Sequence, residues 1–164
     1  MTEKLTLFYL CYMITLIRTD SSNSAYQSLV KILDAELKVR DGDDHAFYAQ
    51  YNKSDAIKHV VLAYVNNLAV ACGALKKYEG KTVEVKRMFV RPEFRGQGIA
   101  AMVLKELESW ANESGFETLI LETGINQPEA INLYKKWDYL VIPNYGQYEG
   151  KEMSICMTKI LTKP

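Results

Sequence analysis

The stretch RMFVRPEFRGQGIA, Arg87 to Ala100, limits what the chain can fold into more than any other. A strand-like apolar run meets Pro92, then a loop holding Arg95, Gly96, Gln97 and Gly98, and Ile99 and Ala100 open an amphipathic segment. Glycines let a backbone approach a ligand closely, and the first turn of a helix presents N–H groups with no partner inside the helix. With arginines beside them these groups make an anion site, and a pyrophosphate would satisfy both the loop donors and the helix dipole. A glycine-bearing connection whose arginines are merely solvated is the alternative that the hexapeptide alone leaves open.

Composition keeps any such site local. Lys plus Arg number 20 and Asp plus Glu number 20, so no net field draws the chain to nucleic acid or to a membrane surface. A length of 164 residues with 48% hydrophobic content gives one domain with a sizeable core. Cys11, Cys72 and Cys156 are odd in number and widely spaced; a reducing cytoplasm fits them better than a disulfide framework, and no zinc-ligand spacing occurs. The apolar run Leu5 to Ile17 superficially resembles a secretion signal. It is too short to span a membrane and no small-residue cleavage site follows. The expectation is a dispensable extension over residues 1–12 and a single domain over 13–164.

Periodicity orders the rest. Ile14 to Arg18 reads as the first strand. Tyr26, Leu29, Val30, Leu33 and Leu37 mark an amphipathic helix capped by Asp20 or a nearby serine. Arg40 to Asp44 reads as a loop, and HAFYAQYN as a packed loop or short helix, or as part of a substrate mouth. HVVLAY and LAVACGAL flank the turn residues Asn66 and Asn67, and TVEVKRMFV adds a third antiparallel strand. Gly98 to about Ser114 is a helix with Ala100, Val103, Leu104, Leu107, Trp110 and Ala111 on one stripe. A buried strand, Thr118 to Thr123, a helix from NQPEAINLYKKW with Pro128 in its first turn, and the strands YLVIP and MSICMTKI complete the chain. This order predicts an α+β fold, a mixed and mainly antiparallel central sheet flanked by helices. The three-glycine spacing of a dinucleotide fold and the Gly-Lys-Ser/Thr of a nucleotide loop are both absent.

Arg95-x-x-Gly98-x-Ala100, preceded by EVKRMFVRPEF and followed by Asn126 and AINLYKK, resembles the GNAT superfamily of acetyl-CoA-dependent N-acetyltransferases over about Ile14 to Ile160. The resemblance implies the same fold and acetyl-CoA as cosubstrate. It implies the pyrophosphate on the backbone of Arg95, Gly96, Gln97, Gly98, Ile99 and Ala100, and the pantetheine arm along Met88, Phe89 and Val90. By the same resemblance Asn126 contacts the arm and the Tyr134 hydroxyl lies near the sulfur. The implied reaction is acetylation of a primary amine of a small molecule or amino acid. The chain departs from the pattern in LYKKWDYL, where Asp138 stands in place of a glycine; aspartate is among the residues that tolerate the left-handed conformation expected there.

An alkyl amine with a pKa of about 10.4 is almost wholly protonated at neutral pH, so transfer needs a proton acceptor. Glu84 is the candidate, eleven residues before Arg95, where some family members carry a glutamate base; pairing with Lys86 is its structural alternative. Tyr134 is the candidate acid for the departing thiolate, and packing beside Ala130, Leu133 and Trp137 is its alternative. His45 and His59 have no recognisable partner. The acceptor pocket is expected between Leu37 to Tyr51, the Glu84 strand and the Tyr145 to Tyr148 loop. The partner implied is a small-molecule amine, without nucleic acid, membrane or metal, and a homodimer stays open. A non-catalytic acetyl-CoA-binding sensor and a nucleotide-binding regulator are the competing readings.

Overall fold

The computed structural model describes residues 13–53 and 56–162, which build one seven-stranded sheet. Its elements in chain order are β1 (Ile14–Thr19), α1 (Ser24–Asp41), α2 (His45–Tyr51), β2 (His59–Val65), β3 (Leu68–Lys77), β4 (Thr82–Val90), α3 (Ile99–Glu113), β5 (Thr118–Gly124), α4 (Pro128–Lys136), β6 (Leu140–Ile142) and β7 (Ser154–Ile160). The strands lie in the order β1-β2-β3-β4-β5-β7-β6. Every neighbouring pair is antiparallel except β4 and β5. This is the mixed, mainly antiparallel α+β arrangement expected from the periodicity. The extension over 1–12, with Cys11, lies outside the described residues.

Two helical details differ from expectation. The cap of α1 is Asn23, whose side chain accepts from the N–H groups of Ala25 and Tyr26 at 2.9 and 3.3 Å, while Asp20 is engaged by Ser22 instead. The helix also runs to Asp41 and a 3-10 turn covers Gly42–Asp44, because no breaker precedes Gly42, where φ turns to 55°. Asn66 and Asn67 take φ of 48° and 64° in the hairpin turn, and Asp138 takes 65°. The glycine-replacing aspartate therefore does adopt the left-handed conformation.

Helices cover both faces. Val103, Leu104, Leu107 and Ala111 of α3 and Tyr134 of α4 pack with Val61, Val85, Leu119 and Leu121 on one side. Tyr26, Leu29, Val30 and Leu33 of α1 pack with Val60, Leu62, Cys72 and Phe89 on the other. Alternation in β4 carries one slip. Val83 and Val85 face α3, and so do Met88 and Val90, which needs one extra residue between the pairs. The ladder agrees: Ala74 opposes Lys86 and Cys72 opposes Phe89, so Gly73 alone faces Arg87 and Met88. This is a β-bulge, with Arg87 at φ 59°, and a bulged strand bends. The Arg87 guanidinium donates to Asp34 of α1 at 2.8 Å and also to the Asn52 carbonyl.

Opposite the bulge, Gly73 leaves room for α3 to dock. A Cβ there would lie 2.5 Å from the Met88 sulfur and 2.8 and 2.9 Å from Leu107 and Val103 side-chain carbons. Gly73→Ala is therefore expected to destabilise the fold by about 1–3 kcal/mol through overpacking. Denaturant unfolding of the two proteins measures it, and an unchanged midpoint would show that Met88 and α3 can yield.

Candidate active site

The parallel contact between β4 and β5 lasts three rungs, Thr82 with Thr118, Val83 with Leu119 and Glu84 with Ile120. Beyond it β4 stays with β3 as far as Val90 opposite Ala71, and β5 stays with β7 as far as Gly124 opposite Ser154. The strands part, and a cavity of about 420 Å³ opens between them. The β5-facing edge of β4 from Lys86 to Val90 thus has no strand partner among the described residues, and its backbone donors and acceptors are open apart from the Val90 carbonyl.

One end of the cavity is the N-terminus of α3. Gly96 and Gly98 take φ of 76° and 77°, and Gly98 is the N-cap residue. Among the described residues no side chain caps this helix, so its first N–H groups are available to a ligand. Among the described residues other than its chain neighbours, none comes within 4 Å of where a Gly98 Cβ would sit; the constraint there is the left-handed backbone. Arg95, Gly96, Gly98, Ile99 and Ala100 line the cavity, as do Met88, Phe89, Val90 and Asn126, and Gln97 does not. The Arg95 guanidinium donates to the Val90 carbonyl at 2.9 Å and to Glu36 of α1 at 2.7 Å. Glu36 also pairs with Arg40 at 2.9 Å, and Arg40 reaches Glu129 and the Asn126 carbonyl. These ion pairs tie α1 across the cavity to the start of α4.

The other end is acidic. Since Val83, Val85, Leu119 and Leu121 face α3, alternation sends Glu84, Lys86 and Glu122 out of the opposite face, toward α2 and the 3-10 turn Gly146–Tyr148. Glu84 is 5% exposed and does not line the cavity. Its carboxylate accepts from the Tyr145 hydroxyl at 2.9 Å and lies 3.4 Å from the Lys86 ammonium, so the pairing weighed as its structural alternative is present. Tyr134, 5% exposed, does line the cavity. It packs edge-on with Tyr139 as well, so core packing and a cavity-facing position coexist.

Glu122 was not singled out in the sequence. It lines the cavity and accepts from the Ser154 hydroxyl at 2.7 Å. Burial pushes its carboxyl up to about 7; the Ser154 hydrogen bond and Lys86 work against that rise, and Glu84 and Asp41 add to it. A carboxylate that titrates near neutrality beside a cavity suits general-base chemistry. The available signal was a glutamate inside the otherwise apolar strand TLILET. Burial, and secondarily the Glu122 charge, raise the Tyr134 phenol above its usual range, so it stays protonated. Burial pushes the Cys72 and Cys156 thiols up to about 12 and about 11, which leaves neither as a thiolate nucleophile at neutral pH. Among the described residues no group of three or more His, Cys, Asp or Glu side chains could hold a metal ion. No helix among them is long and apolar enough to cross a membrane. His59 packs edge-on against Trp110, and His45 lies 3.4 Å from Asp41.

A splayed sheet with a glycine-bearing helix start at one end is matched by the acetyltransferase (GNAT) family model over residues 26–139. The chain belongs to the GNAT acetyltransferase family. It is therefore an acyltransferase, and acetyl transfer is its reaction class. Across 155 aligned residues it is 33% identical to an IAA acetyltransferase of Azospirillum brasilense, covering 90% of this chain and 98% of that one. A Klebsiella pneumoniae protein assigned as an acyl-CoA N-acyltransferase is 28% identical, with a TM-score of 0.77 over 92% of this chain and 99% of the other. A GNAT acetyltransferase from Elizabethkingia anophelis, solved with acetyl-CoA bound, shares the fold at 20% identity and a TM-score of 0.63, over 90% of this chain and 98% of its own.

The raised Glu122 group has a consequence for the stability of this GNAT domain. A carboxyl whose folded pKa exceeds its unfolded value of 4.5 binds its proton more tightly when folded. Its stabilising contribution is complete below pH 4.5 and is lost as pH climbs through about 7. Glu122→Gln removes the half-buried charge and should raise the melting temperature at pH 8 by on the order of 3 °C, with the gain fading toward pH 5. Thermal unfolding of both proteins across that range measures it; a gain independent of pH would contradict the assignment.

Proposed function

We propose that the protein transfers the acetyl group of acetyl-CoA to the primary amine of a small molecule or amino acid. The observation that carries this reading is the layout of one cavity: an uncapped α3 N-terminus at one end, the half-buried Glu122 carboxylate toward the other, and the Tyr134 phenol on its wall. A pyrophosphate fits the N–H groups from Gly96 to Ala100, and a pantetheine arm fits the unpaired edge of β4 at Met88 to Val90, with Asn126 across from it. Gln97, off the wall, contributes at most its backbone. The cavity volume of about 420 Å³ lies in the range of small-ligand sites. Of the tyrosines at positions 48, 145 and 148, Tyr48 lines the cavity and offers it an amphipathic wall.

In this reading the amine proton passes to the carboxylate pair. Glu122 stands at the wall and receives it; Glu84, the base expected from the sequence, acts from behind, fixed by Tyr145 and Lys86. The nitrogen lone pair forms the new C–N bond at the acetyl carbonyl, the C–S bond breaks, the sulfur takes the Tyr134 proton, and the phenolate is reprotonated by the second proton that the nitrogen sheds as it becomes an amide. Protonated cysteine thiols favour this direct route over an acyl-cysteine intermediate.

Acetyl-CoA should raise the melting temperature, and a pantetheine lacking the nucleotide phosphates should do so far less, because the loop binds an anion. Gly98→Glu should abolish the shift, through charge and through the strained left-handed backbone. Equal shifts from both ligands would remove the loop from the proposal. Free thiol release over amino acids, polyamines and other small amines tests turnover. For an amine so found, Tyr134→Phe is expected to cost about tenfold, since a thiolate can leave without an acid, and Glu84→Gln to cost at least as much at pH 7. Rates within threefold of the parent would dismiss both roles.

A further inference from the structure

Glu122 is not held by burial alone. We propose that Ser154 and Tyr48 are positioning residues, a chain of two hydroxyls that orients the Glu122 carboxylate and keeps it ionised to accept the amine proton. The proposal rests on the amine-acetylation reading above.

The geometry gives the chain a direction. Ser154 begins β7, is 6% exposed, and donates to one Glu122 oxygen at 2.7 Å. A serine hydroxyl has a single proton. An ionised Glu122 only accepts, which commits that proton to it, and in this state the 2.9 Å contact between the Ser154 and Tyr48 hydroxyls runs from Tyr48 as donor to Ser154 as acceptor. Both protons thus point toward the carboxylate, and each hydroxyl polarises the next. The second Glu122 oxygen is left for the cavity that Glu122 and Tyr48 line.

Other charges surround the group. Lys86 of β4 favours the ionised form, while Glu84 of β4 and Asp41 of α1 oppose it. Tyr134 of α4, Tyr148 of the 3-10 turn and Cys156 of β7 also feel the Glu122 charge, but all three are held protonated and neutral at neutral pH. A hydrogen bond to a charged carboxylate favours that form. Without the hydroxyl chain, burial and two like charges would raise the Glu122 carboxyl further against Lys86 alone, leaving less of it ionised at neutral pH to accept the proton.

The test is the pH profile of kcat/KM for parent, Ser154→Ala, Tyr48→Phe and the double variant, with an amine that the parent acetylates. The acidic limb should rise by about one pH unit in Ser154→Ala, so the rate at pH 7 falls about fivefold and recovers in base. Tyr48→Phe should move it the same way by less. The double variant should go no further than Ser154→Ala, because Tyr48 acts through Ser154. Ser154→Thr, which keeps a hydroxyl, should return the limb to its place. A rate loss uniform across pH, an unmoved limb in Ser154→Ala, or additive shifts would each overturn the proposal. Infrared titration of the Glu122 carboxyl in the same proteins reads the midpoint without turnover. A parent inert toward every amine would remove the functional reading, and the hydroxyl chain would still stand or fall on whether that midpoint rises in Ser154→Ala.

Discussion

Everything at the site depends on the early end of the pairing between β4 and β5. Three parallel rungs hold the two halves of the sheet together. After them each strand follows its antiparallel neighbour, β4 with β3 and β5 with β7. The bulge at Arg87 supplies a physical cause, since an extra residue bends β4 away from the line that β5 keeps. A non-glycine residue at positive φ is unfavourable, and here the Asp34 and Asn52 contacts of the same arginine hold it in place. Parting the strands creates the cavity and frees a backbone edge in one step.

The carboxylates make the opposite trade. Glu84 and Glu122 sit where packing would favour apolar side chains, and both are kept by specific partners, Tyr145 and Lys86 for one and Ser154 for the other. Enclosure weakens the hold of Glu122 on its charge, and that weakness is what makes a proton acceptor useful near neutrality. Stability and reactivity pull against each other at this residue. The core elsewhere is conventional, with Val, Leu and Ile on both faces and helices over each.

Local chemistry was legible in the sequence and long-range contact was not. Helices α1 and α3, the Asn66–Asn67 hairpin and the glycine start of α3 followed from period, turn residues and backbone freedom, each written within a few neighbouring residues. The bulge was written there too, as the slip from Val83 and Val85 to Met88 and Val90, but only a register fixes which residue is extra. Glu122 was visible as a charge in an apolar strand, yet its importance comes from Ser154, 32 residues away, and from the parting of the sheet. The Arg95 contact with Glu36 joins residues 59 apart and has no local signature. Glu84 was found because it precedes the loop by a short, countable distance; its burial under Tyr145 depends on a turn 61 residues later.

The missing side chain at Gly73 has a mechanical result. Because Met88, Val103 and Leu107 all crowd the space it leaves, α3 is keyed into the bulged part of β4, and the helix start and the strand end form one stiff piece. The span from the α3 N-terminus to the carboxylates is therefore fixed by the frame of the protein. In the proposed reading the groove works as a ruler. A ligand anchored at the loop presents its far end to Glu122 only if its own length matches that span, so molecules are sorted by length before the chemistry of their tips is tested.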